Sequence, residues 1–150
     1  MKNTEINALV EALLKQEGSA KTKKLLKSFI EDSTEHVLTI IANQSSHKVP
    51  EKYLRGEVYV ASKGNLDFSR KLVVERQYKQ LLHALSAKLA ERNWKRIYLI
   101  PTGHVTLSLQ IKMAVYRVTR LSTIDLFYSE GRFFDISIEQ RRLIDDKKST

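Results

Sequence analysis

The run Ile97-Tyr98-Leu99-Ile100, followed by Pro101-Thr102-Gly103-His104, constrains this chain more than any other stretch. Consecutive apolar residues of β-branched and aromatic type fit a strand covered on both faces. Pro101 has no N–H for a ladder and ends the strand. Gly103 lets the backbone turn where a side chain would obstruct it. From Val105 the apolar spacing becomes helical, through Leu109, Ile111, Met113, Val115 and Tyr116. A loop between a strand's carboxyl end and a helix's amino end is where open α/β sheets bind ligands. Exposed N–H groups and the helix dipole favour an anion there.

The rest of the chain repeats this alternation. Glu35 to Ala42 reads as a strand ending in the polar loop Asn43-Gln-Ser-Ser-His47, and Pro50 to Leu54 as a single helical turn. Glu57 to Ala61 is a second strand with the polar loop Ser62 to Asp67. A long helix is expected from Phe68 or Ser69 to about Asn93, with Val73, Val74, Tyr78, Leu81, Leu82, Leu85 and Leu89 on its apolar stripe. Trp94 reads as a packing residue at its end. After the helix from Val105 to about Arg120, Thr123–Tyr128 is a fourth strand, Ser129–Arg132 a hairpin loop, and Phe133–Ile138 an antiparallel return. The expected fold is α/β: a Rossmann-like, mostly parallel sheet with flanking helices and a C-terminal antiparallel hairpin. Residues 34–150 form this domain and residues 1–33 an N-terminal helical extension. The extension has stripes Ile6, Leu9, Val10, Leu13, Leu14 and Leu25, Leu26, Phe29, Ile30 on either side of Gly18-Ser19. Those stripes fit packing against the sheet better than a helix-turn-helix unit, which needs a third helix. The final residues, 145–150, are expected to fray.

Charge narrows the ligand. Of a net +9, residues 61–120 carry twelve Lys/Arg against three acids, whereas residues 34–60 carry three of each. The surplus shares a segment with the candidate anion loop, which points to a phosphate-bearing ligand. Without cysteine there is no disulfide or thiol chemistry, and the four histidines lack ligand spacing, so neither metal nor cofactor is expected. No apolar run is long enough to span a membrane and the first residues lack a signal's apolar core, so a cytoplasmic protein is expected.

The loops near Ser45, Ser62 and Thr102 should meet on one sheet edge. By position, Ser45, Ser46, Ser62 and Lys63 are candidates for base, ribose or phosphate contacts, with Arg70 and Lys71 at the start of the long helix and Tyr128 at the hairpin. Pro101, Thr102, Gly103, His104 and Thr106 form the third loop; Thr102 and Thr106 equally suit helix caps. His104 can stack on a base, donate to a phosphate or act as a general acid, and His104 and Lys63 are the candidates for catalysis. His104-Val-Thr106 lacks the second His-x-Thr/Ser motif of two-histidine phosphodiesterases: none of His36, His47 and His83 supplies it.

With these elements in order, residues 35–138 resemble one half of a SAVED domain, a relative of the CRISPR-associated Rossmann (CARF) fold whose full copies contain two such halves. The resemblance lies in Thr39-Ile-Ile-Ala-Asn-Gln-Ser-Ser before Val49-Pro50, and in Val58-Tyr-Val-Ala-Ser-Lys-Gly-Asn leading to a long helix. It continues in Ile97-Tyr-Leu-Ile-Pro with Gly103, and in Ile124-Asp-Leu-Phe-Tyr128 with Phe133-Phe134. It implies binding of cyclic oligonucleotide second messengers in antiphage defence (CBASS or type III CRISPR), with oligomerisation on binding. A single half implies completion by a homo-oligomer or by a separate partner chain. Residues 1–33 are too short for an effector domain, so an adaptor, a messenger sponge or a ring nuclease fits better than activation in cis. A DNA-binding regulator is a further alternative, disfavoured because the basic surplus avoids the N-terminal helices.

Overall fold

The computed structural model describes residues 3–34, 36–45, 48–139 and 142–143. The chain divides into two compact units, Met1–Glu35 and His36–Thr150. In the first, helices α1 (Asn3–Glu17) and α2 (Ser19–Thr34) meet at Gly18, whose φ of +79° makes the corner. Thr22 is buried there and donates its hydroxyl to the Leu13 carbonyl at 3.1 Å.

The second unit holds β1 (Val37–Ile41), a short 3-10 turn (Glu51–Tyr53), β2 (Glu57–Val60), α3 (Lys71–Ala90), β3 (Arg96–Ile100), α4 (Val105–Thr119), β4 (Ile124–Ser129) and β5 (Arg132–Ile136). The sheet order is β2-β1-β3-β4-β5; all pairs are parallel except the β4–β5 hairpin. This is the α/β architecture expected. The hairpin closes through Glu130 and Gly131, both at positive φ (50° and 80°), the geometry that matches strand twist in a two-residue turn.

Period-two alternation assigns the two faces. Leu38, Ile40 and Ala42 of the first strand and its exit, with Ile97 and Leu99, face α3 and α4, meeting Tyr78, Leu85, Leu89, Leu107, Ile111 and Val115. Ile41, Tyr98, Ile100 and Leu126 face the other way, toward Val49, Tyr53, Leu54 and Phe133. Both long helices therefore cover one face, while the β1–β2 connection and the hairpin cover the other. The chain moves in one direction across the sheet through α3 and α4 and in the opposite direction from β1 to β2. Right-handed crossovers then put the β1–β2 segment opposite the helices. Trp94 packs at the end of α3, as expected, with its Nε1–H donated to the Leu89 carbonyl at 3.1 Å.

Besides shifts of a few residues at element ends, two departures from the sequence reading concern the helices. Helix α3 starts at Lys71, because Asp67 accepts the Ser69 N–H (2.8 Å) and Gln77 clamps the Asp67 backbone, holding 67–69 in a turn. On α4 the buried stripe is Leu107, Ile111 and Val115; Val105, Leu109, Met113 and Tyr116, which carried the helical spacing in the sequence together with Ile111 and Val115, are exposed. The helix is apolar on two faces, and the turn before it sets which one meets the sheet. No helix among the described residues is long and apolar enough to cross a membrane.

Lys88 of α3 contacts the Glu57 carboxylate of β2 and lies 2.6 Å from Glu91, and Arg92 reaches Glu57 at 3.5 Å. The Lys88 hydrogen bond holds the Glu57 carboxyl below its usual range, and Glu57, then Glu91, raise Lys88. Stability from a depressed carboxylate is complete above the unfolded value, about 4.3, and is lost as pH falls through the folded value. The raised Lys88 contributes below about pH 10.4 and loses that contribution only in stronger alkali. Glu57→Gln should melt lower than the parent at neutral pH and lose less melting temperature between about pH 5 and pH 3. Circular dichroism melts across that range check it, and an unchanged acid slope would count against the pair.

Candidate functional site

The three strand-end loops do meet, and they are bolted together. The parallel pairing runs past the strands through Ala42 N–H to Ile100 O (3.1 Å), Ala61 N–H to Ile41 O (2.9 Å), Gln44 N–H to Ser62 O (2.8 Å) and Gly64 N–H to Gln44 O (3.1 Å). Ser62 donates its hydroxyl to the Ala42 carbonyl at 2.7 Å. Thr102 donates to the Asn43 carbonyl at 2.6 Å and accepts the Asn43 N–H at 3.1 Å. Asn43 Nδ2 donates to the Gly64 carbonyl at 2.9 Å. Gly103 sits at φ +83° against Asn43, where an added Cβ would lie 2.7 Å from the Asn43 Cβ. The hydroxyls of Ser62 and Thr102, candidates for ligand contact, are thus committed to joining loops. Asn43 Oδ1 is buried with no hydrogen-bond partner among the described residues, an acceptor that a polar group of a ligand can satisfy.

His104 is the cap of α4, a role the sequence offered to Thr102 or Thr106. Its Nδ1 accepts the Thr106 N–H at 3.3 Å and lies 2.7 Å from Thr106 Oγ1. Thr106 Oγ1 is also 2.7 Å from the Tyr78 hydroxyl. With Nδ1 accepting, the consistent order is Tyr78 to Thr106 to His104, which leaves the ring proton on Nε2. Phe68 stacks on the imidazole at 4.6 Å and 28°. His104 is exposed, so its Nε2–H is an oriented donor at the edge of the sheet.

Beside this edge, on the face away from the helices, lies a cavity of about 640 Å³. The ends of β3 and β4, the β1–β2 connection and the hairpin enclose it. Tyr53, Phe133 and Tyr128 form an edge-to-face series, with centroids 4.9 and 5.1 Å apart, and Lys52 lies over the Tyr53 ring at 4.9 Å. The Phe133 N–H donated to the Tyr53 oxygen (3.3 Å), with Lys52 nearby, holds this phenol below its usual value. Lys48 and Lys52 line the cavity with these rings. Rings with faces that can stack thus stand next to lysines that can meet an anion.

The cavity gathers Ser45, Pro101, Thr102 and Tyr128 of the expected residues. Lys63 is exposed on the adjoining loop, paired in a bridge with Gln44, next to the turn that carries Gly103, His104 and Thr106. Arg70, the residue before α3, and Lys71, paired with Glu75 at 3.7 Å on the surface, do not line the cavity. Ser46 and His47 lie outside the described residues, as do residues 145–150. Sequence reasoning missed Lys48, Lys52, Tyr53 and Phe133. The basic and aromatic residues interleaved around Pro50 were a signal that could have found the first three. The charge argument also needs correction: within 61–120, Lys88 and Arg92 pair with Glu57, Lys112 pairs with Asp125, and Lys95 and Arg96 stand at the opposite edge, where β3 begins. No family model, curated protein or solved structure matches the chain.

Proposed function

We propose that this protein is a cytoplasmic binding module for a cyclic oligonucleotide second messenger, acting as a sensor or adaptor in antiphage defence and assembling as a homo-oligomer. The observation that carries this reading is the cavity at the strand ends, where Tyr53, Tyr128 and Phe133 stand beside Lys48 and Lys52. Its volume is that of a small-molecule site. The rings suit bases and the lysines suit phosphodiesters. Calorimetric titration with cyclic di-, tri- and tetranucleotides tests it. Saturable binding of at least one is expected, and no binding by any would sink the reading.

The oriented Nε2–H of His104 favours a second reading, a ring nuclease. A ribose 2′-hydroxyl would attack phosphorus and lose its proton to solvent water, the bond from phosphorus to the 5′-oxygen would break to leave a 2′,3′-cyclic phosphate, and His104 would give its Nε2 proton to the departing 5′-oxygen and regain one from solvent. Incubation with the bound messenger followed by chromatography separates the two: linear product lost in His104→Ala supports cleavage, and intact ligand supports binding alone.

A further inference from the structure

The positive surplus of residues 61–120 has little part in the strand-end cavity, whose lysines, Lys48 and Lys52, come from outside that segment. Four of its twelve cations, Lys95, Arg96, Arg117 and Arg120, gather at the other edge of the sheet, where β3 and β4 begin and α4 and β5 end. All four are exposed, and none has an ion pair among the described residues, whereas Arg55, Lys88, Arg92 and Lys112 are each paired with a carboxylate. Lys95, Arg96 and Arg120 line a cleft of about 350 Å³ together with Ser122 and Ser137. Its one acid, Glu139, is held by Arg142 at 3.0 Å. Like charges gathered without a counter-charge repel one another, and a bound anion relieves that. Helix dipoles account for only part of the cluster: the last turn of α4 carries Arg117 and that of α3 Lys88, and the effect fades within a turn. Arg120 stands where the chain leaves α4 at φ +62°, a left-handed position that favours glycine. An arginine there sets a cation in the cleft at a cost in backbone strain.

The cleft continues into a second one of about 540 Å³, which shares Tyr116 and Ser122 with it. Arg117 lines this one with Met113, Ile136 and Ile138, which are 43–59% exposed. Cations in the first and apolar faces in the second match a ligand that alternates anions with flat apolar groups. Three of the four cations are arginines, whose planar guanidinium forks a phosphate and stacks on a ring. We infer that this edge binds a single-stranded nucleic acid, with phosphates against Lys95, Arg96, Arg117 and Arg120 and bases along Met113, Tyr116, Ile136 and Ile138. A positively charged groove with aromatic and apolar faces beside it suits a strand of any sequence. None of the strand-end cavity's residues takes part, so the inference stands apart from the ligand reading.

Fluorescence anisotropy of a labelled oligouridylate of about twelve nucleotides, titrated with the full chain, tests it. Saturable binding is expected, weakening about 50-fold between about 50 and 200 mM salt, the fall that about four phosphate contacts give on a single strand. Arg120→Gly should bind about five- to ten-fold more weakly while melting no lower than the parent, since glycine suits the left-handed turn. A residue with a structural role alone would not separate affinity from stability in this way. Lys95→Ala with Arg96→Ala should lose about 50-fold, and Lys79→Ala, which removes one charge from the exposed face of α3, less than about two-fold. No binding at about 50 mM salt overturns the inference, as does equal or tighter binding of a duplex of the same length. A loss confined to Lys48→Ala with Lys52→Ala overturns it too, by putting the strand in the strand-end cavity. So does binding that emerges only once Glu31, Asp32 and Glu35, the acids that lead into β1 in sequence, are made neutral, because the cations then belong to the chain's own carboxylates.

Discussion

A Gly56→Ala variant will lose most or all of its cooperative unfolding transition at room temperature. Gly56 enters β2 at φ +66°, and a Cβ there would lie 2.1 Å from the Val37 carbonyl oxygen and 2.7 Å from its carbon. The left-handed conformation alone costs a non-glycine residue roughly 1–2 kcal/mol. The contact adds much more, because Val37 opens β1 in the centre of the sheet and pairs with Arg96 of β3. Its carbonyl cannot retreat without breaking that register. A combined loss above about 4 kcal/mol is expected, a large share of the 5–15 kcal/mol that holds a domain together. Gly131→Ala is the control: φ is +80° but no atom lies within 4 Å of the added Cβ, so only the conformational cost remains. Urea unfolding should separate the two by several-fold in ΔΔG. Equal losses would show that φ, and not the approach to Val37, is what matters.

Tyr128→Ala will weaken binding of the tightest cyclic oligonucleotide about 10- to 100-fold and leave the fold intact. Tyr128 lines the cavity, is 60% exposed, and touches Phe133 edge-on at 5.1 Å. Its ring has little to lose in packing and a base face to lose in binding, worth roughly 1–3 kcal/mol per stacked base. Phe134→Ala, on the same strand pair but outside the cavity lining, should leave affinity unchanged. Calorimetry on the three proteins, with melting temperatures alongside, makes the comparison. Unaltered affinity in Tyr128→Ala would move the base elsewhere along the edge.

Much of the fold was legible because the signals were local. A run such as Ile97–Ile100 between a helical pattern and Pro101 can hardly be other than a buried strand, and β3 occupies it. Gly103 was legible for the same reason: a turn from strand to helix needs a residue free to take positive φ, and it takes +83°. The hairpin likewise follows from Glu130-Gly131 between two apolar runs.

The binding edge was legible only in outline. Parallel strands joined by crossovers bring their carboxyl ends together, so the meeting of the Ser45, Ser62 and Thr102 loops follows from the order of elements. Which side chains face a ligand does not follow, because a hydroxyl near a strand end can equally serve a neighbouring carbonyl. Ser62 and Thr102 do that. The cavity's lysines come from 34–60, the segment whose charges cancel, because β1–β2 crosses the face that the helices leave open.

The sequence by itself determined the strands, the helices, their order and the glycines that the turns require. Each of these depends on side-chain periodicity or backbone freedom within a few residues. Only the tertiary structure decided which stripe of α4 is core, which hydroxyls bolt the loops, and that Lys48, Lys52, Tyr53, Tyr128 and Phe133 share one cavity. Those depend on contacts between residues as far apart as Lys48 and Phe133, which the chain brings together only after β1, β3 and β4 have paired in register.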